Sequence, residues 1–168
     1  MSFEAQIARL FAMDEATWAR HANSWSVWTR ITTLPLLLAA IWSHAVLAWG
    51  ALLPVAGAAA WIWLNPRVFS PPRSTDSWAS RATFGERLWL ERKSRAIPRR
   101  HRQAPRVLGV LSGLGFLLAL AGAVALAFWP MLAGLILCLL AKLWFCDRMV
   151  WLYEDMAGAD SSLREWVK

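Results

Sequence analysis

The chain has 168 residues, of which 58% are hydrophobic and 17% charged, and its mean hydropathy is +0.38. A water-soluble domain of this size carries roughly 25% charged residues, so the composition excludes an ordinary soluble globule and points to a membrane protein. The net charge of +7 comes without any motif of a nucleic-acid-binding fold, and its confinement to one segment between apolar stretches argues for membrane topology rather than nucleic acid.

Residues 3–20 predict an amphipathic helix. Ser2 can cap it, and Phe3, Ile7, Leu10, Phe11 and Trp18 recur at helical spacing, with Asp14 breaking the stripe. Such a helix lies on the membrane surface or folds back onto the middle of the chain. A polar, Trp-rich stretch follows and brings Arg30 to the membrane edge, so residues 1–27 read as a cytosolic interfacial segment. The first thirty residues mix three Arg with Glu4, Asp14 and Glu15, unlike a secretory signal peptide, so the first span itself would direct insertion.

Ile31–Leu64 and Val107–Ala141 contain no Lys, Arg, Asp or Glu. Uncharged runs beyond about 18 residues read as membrane spans. Span one is expected from Trp28 to Trp49, with Pro35 marking a kink or the true start, and Gly50 making a tight outer turn. Span two, Ala51–Leu64, has Pro54 in its first turn and ends at Asn65-Pro66. Its helix would be only about 21 Å long, which calls for local bilayer thinning or burial against neighbouring helices. Residues 28–64 thus form a first hairpin.

Residues 65–106 are the basic loop, with eleven Lys or Arg against Asp76, Glu86 and Glu91. Ser70-Pro-Pro-Arg-Ser breaks any helix. Thr83-Phe-Gly-Glu86 fits a capping box that starts a short helix reaching about Arg95. Ile97 to Pro105 reads as a second extended, basic stretch. Span three follows from Val107 to Trp129, where Gly109 and Gly113 match a close-packing spacing. Trp129-Pro130 would turn the chain into span four, Met131–Tyr153. Residues 107–153 make a second hairpin, and 154–168 a cytosolic tail.

The expectation is therefore an all-α polytopic protein, one membrane domain over residues 1–168, with four transmembrane helices as two hairpins. The basic loop and both termini would lie in the cytosol of a bacterial cell with the spans in its inner membrane. The thirteen Trp suit the membrane–water boundary, where the ring meets apolar matter and the N–H meets water. Trp25, Trp28, Trp49, Trp63, Trp129, Trp144 and Trp151 fall at or near expected span ends.

Span four carries the most telling polar residues. At about 100° per residue, Trp144, Asp147 and Trp151 share a face with Arg148 beside them, and Lys142 lies opposite. Lys142 follows eleven apolar residues from Met131, so it either snorkels or faces a polar cavity. Asp147 is placed to pair with a nearby Arg. Each hairpin returns with Trp-x-x-x-Arg, at Trp63–Arg67 and Trp144–Arg148. Cys138 and Cys146 are about 12 Å apart along one helix and cannot bridge each other. His21, His44 and His101 show no metal-ligand spacing, so no metal or cofactor is expected.

Several motifs together carry a family resemblance. These are His21-x-Asn23-x-x-Ser26-x-Trp28-x-Arg30, Asn65-Pro-Arg67-x-Phe69-x-Pro-Pro72, Ser77-Trp-Ala79, Gly85-Glu-Arg87 and Lys142-x-Trp144-x-x-Asp-Arg148-x-x-Trp151. Over about residues 15–155 the chain resembles a family of small, Trp-rich bacterial and archaeal four-span membrane proteins of unknown function. Ser24 stands where that family has proline in its first motif.

The resemblance implies one shared cytosol-facing site for the polar motif residues. His21, Asn23, Arg30, Asn65, Arg67, Glu86, Arg87, Lys142, Asp147 and Arg148 would line or brace it. The cations would hold an anionic lipid headgroup or amphipathic ligand. The alternatives are a non-catalytic accessory subunit of a larger membrane complex and an enzyme acting on a lipid or isoprenoid phosphate, with His21 or Asp147 carrying the proton. Membrane lipids are the expected partners, with a larger complex or homo-oligomer also open.

Overall fold

A computed structural model describes residues 15–167, and these are helical throughout, joined by turns and short loops, with no strand among them. Helix α1 is Glu15–His21 and α2 is Ser24–Trp42. A short α3, His44–Leu47, and a 3-10 turn, Ala48–Ala51, lead to α4, Leu52–Val68. Then come α5, Trp78–Leu90, a 3-10 turn at Arg99–His101, α6, Gln103–Val124, α7, Phe128–Ala159, and α8, Ser161–Arg164. Most of the expected amphipathic helix over residues 3–20 lies outside the described residues.

Among the described residues three stretches are long and apolar enough to cross a membrane: Ser24–Val68, Arg99–Val124 and Phe128–Ala159. The first covers 45 residues and doubles back on itself. Asn65 Nδ2 near its end donates to Thr29 Oγ1 near its start at 2.8 Å.

Prolines account for most boundary differences. Helix α2 begins at Ser24 and runs through Pro35, so that residue marks no start. Helix α4 passes Asn65-Pro66 and stops at Val68, because a proline two residues from a helix end removes only one ladder bond. Pro105 and Pro130 both fall in first turns, of α6 and α7. There a backbone N–H has no intrahelical partner to lose. Ile97–Pro105 is consequently not extended throughout, and Trp129-Pro130 does not make the turn.

The turns use other residues than expected. No described glycine has positive φ; Ala48 (φ 46) and Leu126 (φ 54) adopt the left-handed conformation instead. Helix α5 starts five residues before Thr83. Ser77 is its cap, its hydroxyl accepting from Ser80 N at 3.1 Å. Thr83 sits inside the helix, donating to Ala79 O at 3.0 Å.

The chain divides into two compact units. The apolar unit holds residues 28–65 and 107–144, and its only charged residues are Arg30 and Lys142. Its interior joins Leu38 of α2 to Ala119 and Ala123 of α6, with Met131 and Leu135 of α7 packed against them. Gly115, Gly122 and Gly134 let α6 and α7 approach backbone to backbone: a Cβ at any of them would overlap main-chain atoms of the facing helix. Gly109 and Gly113, the pair singled out by spacing, face open space instead.

The polar unit comprises residues 15–27, 66–106 and 145–167. Its core brings Leu88 and Trp89 of α5 against Met149, Leu152 and Tyr153 of α7, closed by Ile97 and Leu163. Gly85 is obligatory there, since a Cβ would strike the Met149 carbonyl. Phe84, Tyr153 and Trp166 form an aromatic cluster, with Phe84–Tyr153 centroids 5.4 Å apart. The Tyr153 hydroxyl donates to Leu163 O at 2.8 Å.

Candidate functional site

In the polar unit the α1–α2 junction is held by short polar side chains. Asn23 Oδ1 accepts from Trp25 N at 2.9 Å, capping α2, while its Nδ2 donates to Ser70 O at 2.9 Å. The Ser80 hydroxyl donates to Ala22 O at 2.7 Å. Ser77 Oγ lies 3.0 Å from Ser24 Oγ and 2.9 Å from Ser80 Oγ. Arg20 reaches the Arg67 carbonyl at 3.5 Å. His21 is buried against the edge of Trp18, with centroids 5.6 Å apart. Asn23 thus serves as cap and loop tie.

Helix α5 carries cations matched to carboxylates. Arg87 pairs with both oxygens of Glu15, reaches Glu91 at 3.5 Å, and lies 4.9 Å over the Trp166 ring. Arg81 pairs with Asp76 and with Glu154 at 2.9 Å. The hydrogen bond that Arg81 donates to Asp76 raises the Arg81 pKa above its ordinary value against a smaller opposing desolvation, so this cation stays charged at any working pH. Glu86 is half-buried on the same helix.

The end of α7 supplies acids and cations. Asp147 accepts from the Trp78 indole at 3.5 Å, and within this unit no ion pair to Asp147 forms among the described residues. Arg148 stacks 4.2 Å over Trp151. Asp155 pairs with buried His101 and, at 2.7 Å, with Arg100. Arg95 reaches Asp160 at 3.5 Å. Asp160 caps α8 through Ser162 N at 3.0 Å and Ser162 Oγ at 2.7 Å. Those bonds hold its carboxyl below the usual carboxylate range.

The expected site residues therefore fall in two groups. His21, Asn23, Arg67, Glu86, Arg87, Asp147 and Arg148 belong to the polar unit, and Arg30, Asn65 and Lys142 to the apolar unit. Sequence reasoning passed over a different set. Arg99, Arg100, Arg102 and Arg106 are exposed at the head of α6. Among the described residues Arg99, Arg102 and Arg106 make no ion pair; Arg102 donates only to Ile97 O, at 2.9 Å. Their position directly before an uncharged span was the available signal. No group of three or more His, Cys, Asp or Glu among the described residues could hold a metal, and both cysteines are free thiols.

The chain belongs to the family of unknown function DUF6653, which matches residues 2–167. No curated protein and no solved structure matches it.

Proposed function

Within that family, which carries no assigned activity, we propose that this chain is a four-crossing membrane protein whose polar unit binds anionic lipid headgroups at the cytosolic face. Two fold-backs support four crossings. Residues before Ser24–Val68 meet residues after it: Asn23 bonds Ser70, and Ser80 bonds Ala22. A single crossing would part those partners by a bilayer, which supports two crossings of the stretch. His101, heading α6, pairs with Asp155 near the end of α7, so these two helices form a second hairpin. The arginine-rich segment then falls on the same side as both ends, which the positive-inside bias assigns to the cytosol.

The observation that carries lipid binding is how the cations are used. Arg81, Arg87 and Arg95 are occupied by carboxylates. Arg99, Arg102 and Arg106 are exposed without such partners among the described residues and directly precede Val107 and Val110, which are themselves exposed. Cations at that junction meet phosphate headgroups while the helix beyond meets acyl chains, an attraction of about 1 kcal/mol per Lys or Arg. The candidate site accordingly moves from Arg87 toward the head of α6.

The test is binding of purified protein to vesicles of phosphatidylglycerol and phosphatidylcholine at one acyl length. A preference for phosphatidylglycerol is expected. The triple change Arg99→Gln, Arg102→Gln, Arg106→Gln should cut it roughly a hundredfold, while Arg81→Gln should leave it unchanged. Equal binding of the two lipids by the native chain would refute the reading.

A second reading, an accessory subunit of a larger membrane complex, is favoured by the open Gly109/Gly113 face of α6, a spacing that lets another helix approach closely. Stoichiometric isolation with a second chain, lost in Gly109→Leu, would support it.

A further inference from the structure

We infer that the apolar unit is matched to a bilayer whose hydrocarbon layer is markedly thinner than usual, an inference that rests on the membrane-spanning reading but not on headgroup choice. The charge-free helical lengths are all short. From Arg30 through α2 and Ser43 to the end of α3 at Leu47 is about 25 Å of helix. From Leu52 to Asn65 in α4 is about 20 Å. From Phe128 to Lys142 in α7 is about 21 Å. An ordinary hydrocarbon core is about 30 Å thick.

Tryptophans bracket the same distance. Trp129 is 75% exposed and Trp144 56% exposed. They lie about 22 Å apart along one uninterrupted helix. Exposed Trp settles at headgroup level, so this pair marks both boundaries. Tilt cannot repair the shortfall, because tilting only reduces the thickness a helix spans. Helix α6 is longer, about 26 Å from Val107 to Val124, and fits the same layer at a tilt within the usual range of up to about 40°.

Shielding by the protein does not resolve the mismatch either. Leu52, Leu53, Trp63 and Leu64 of the short helix α4 are exposed, Leu53 at 79%, and a Cβ at Gly57 would meet nothing within 4 Å. The surface that needs a thin hydrocarbon layer is the one that faces lipid. Such a protein seats itself in short-chain or disordered lipid, or thins the bilayer around it.

The test uses the full chain in phosphatidylcholine vesicles alone, so headgroup charge plays no part. Monounsaturated acyl chains are varied from fourteen to twenty-two carbons, and thermal unfolding is followed. The midpoint should be highest at fourteen or sixteen carbons and fall by at least about 5 °C at twenty-two. Lys142→Leu lengthens the uncharged stretch and should move the optimum to the next longer chain; where that variant does not fold, the native profile decides alone. An optimum at eighteen carbons or more would overturn the inference. So would a flat profile accompanied by a stable oligomer at every chain length, because a second copy would then cover the exposed ends. Loss of phosphatidylglycerol preference with the profile intact would defeat only the headgroup proposal.

Discussion

Asn23 shows how a polar residue picked out by its motif can carry structural bonds of its own. Its type and place in a motif suggested a ligand contact, but its oxygen caps α2 and its nitrogen ties the Ser70 loop. Asn23→Ala should therefore cost about 1 kcal/mol in thermal or denaturant unfolding. Asn23→Asp should keep the cap and lose only the bond to Ser70. A variant as stable as the native chain would show that these bonds contribute little to the fold. Gly85 makes a sharper case, because any side chain there meets the Met149 carbonyl. Gly85→Ala should cost about 1–3 kcal/mol, read from the unfolding midpoint in detergent. Packing spacing pointed to Gly113, which faces open space, rather than to Gly85, since helix spacing does not say which helix lies opposite.

At the level of elements, the apolar stretches were legible because charge-free length is itself the physical requirement for spanning a membrane. Helix ends were less so. Thr83-Phe-Gly-Glu86 satisfies the capping-box pattern, yet Ser77 holds the cap and Thr83 lies well inside α5. The pattern records side-chain types and cannot report whether the backbone before it is already helical. Ser77→Ala should destabilise α5 by about 1 kcal/mol and Thr83→Val by much less, a difference measurable by amide exchange along the helix. Short α8 depends on Asp160 in a pH-sensitive way. The Ser162 bonds depress the folded pKa of Asp160, so its contribution is present above the ordinary aspartate pKa of about 3.9. It is lost as pH falls through the lower folded value. The Ser162 amide should exchange faster at those acid pH values, and Asp160→Asn should remove that dependence.

The arrangement of the whole molecule follows from an asymmetry that single residues do not reveal. Apart from Arg30 and Lys142 the apolar unit is uncharged, whereas the polar unit collects carboxylates distant in sequence around α5 and the head of α6. That gathering could not be read from sequence. Glu154 and Asp155 looked like parts of a tail, and only the fold carries them to Arg81 and to His101 with Arg100. The partition into units also predicts topology. Asn23, Ser70 and Ser162 belong to one unit, and under the four-crossing proposal they lie on one side of the membrane. Ala48 and Leu126, at the two left-handed turns, mark the opposite side if both hairpins cross. Single cysteines at Ser94 and Trp49, with Cys138 and Cys146 replaced by alanine, should therefore react oppositely with an impermeant thiol reagent applied to intact cells. Position 49 should label from outside and position 94 only after lysis. Labelling of both from one side would place the exposed Trp49 and the arginine-rich segment in the same compartment, reducing Ser24–Val68 to a re-entrant loop and removing the basis for four crossings.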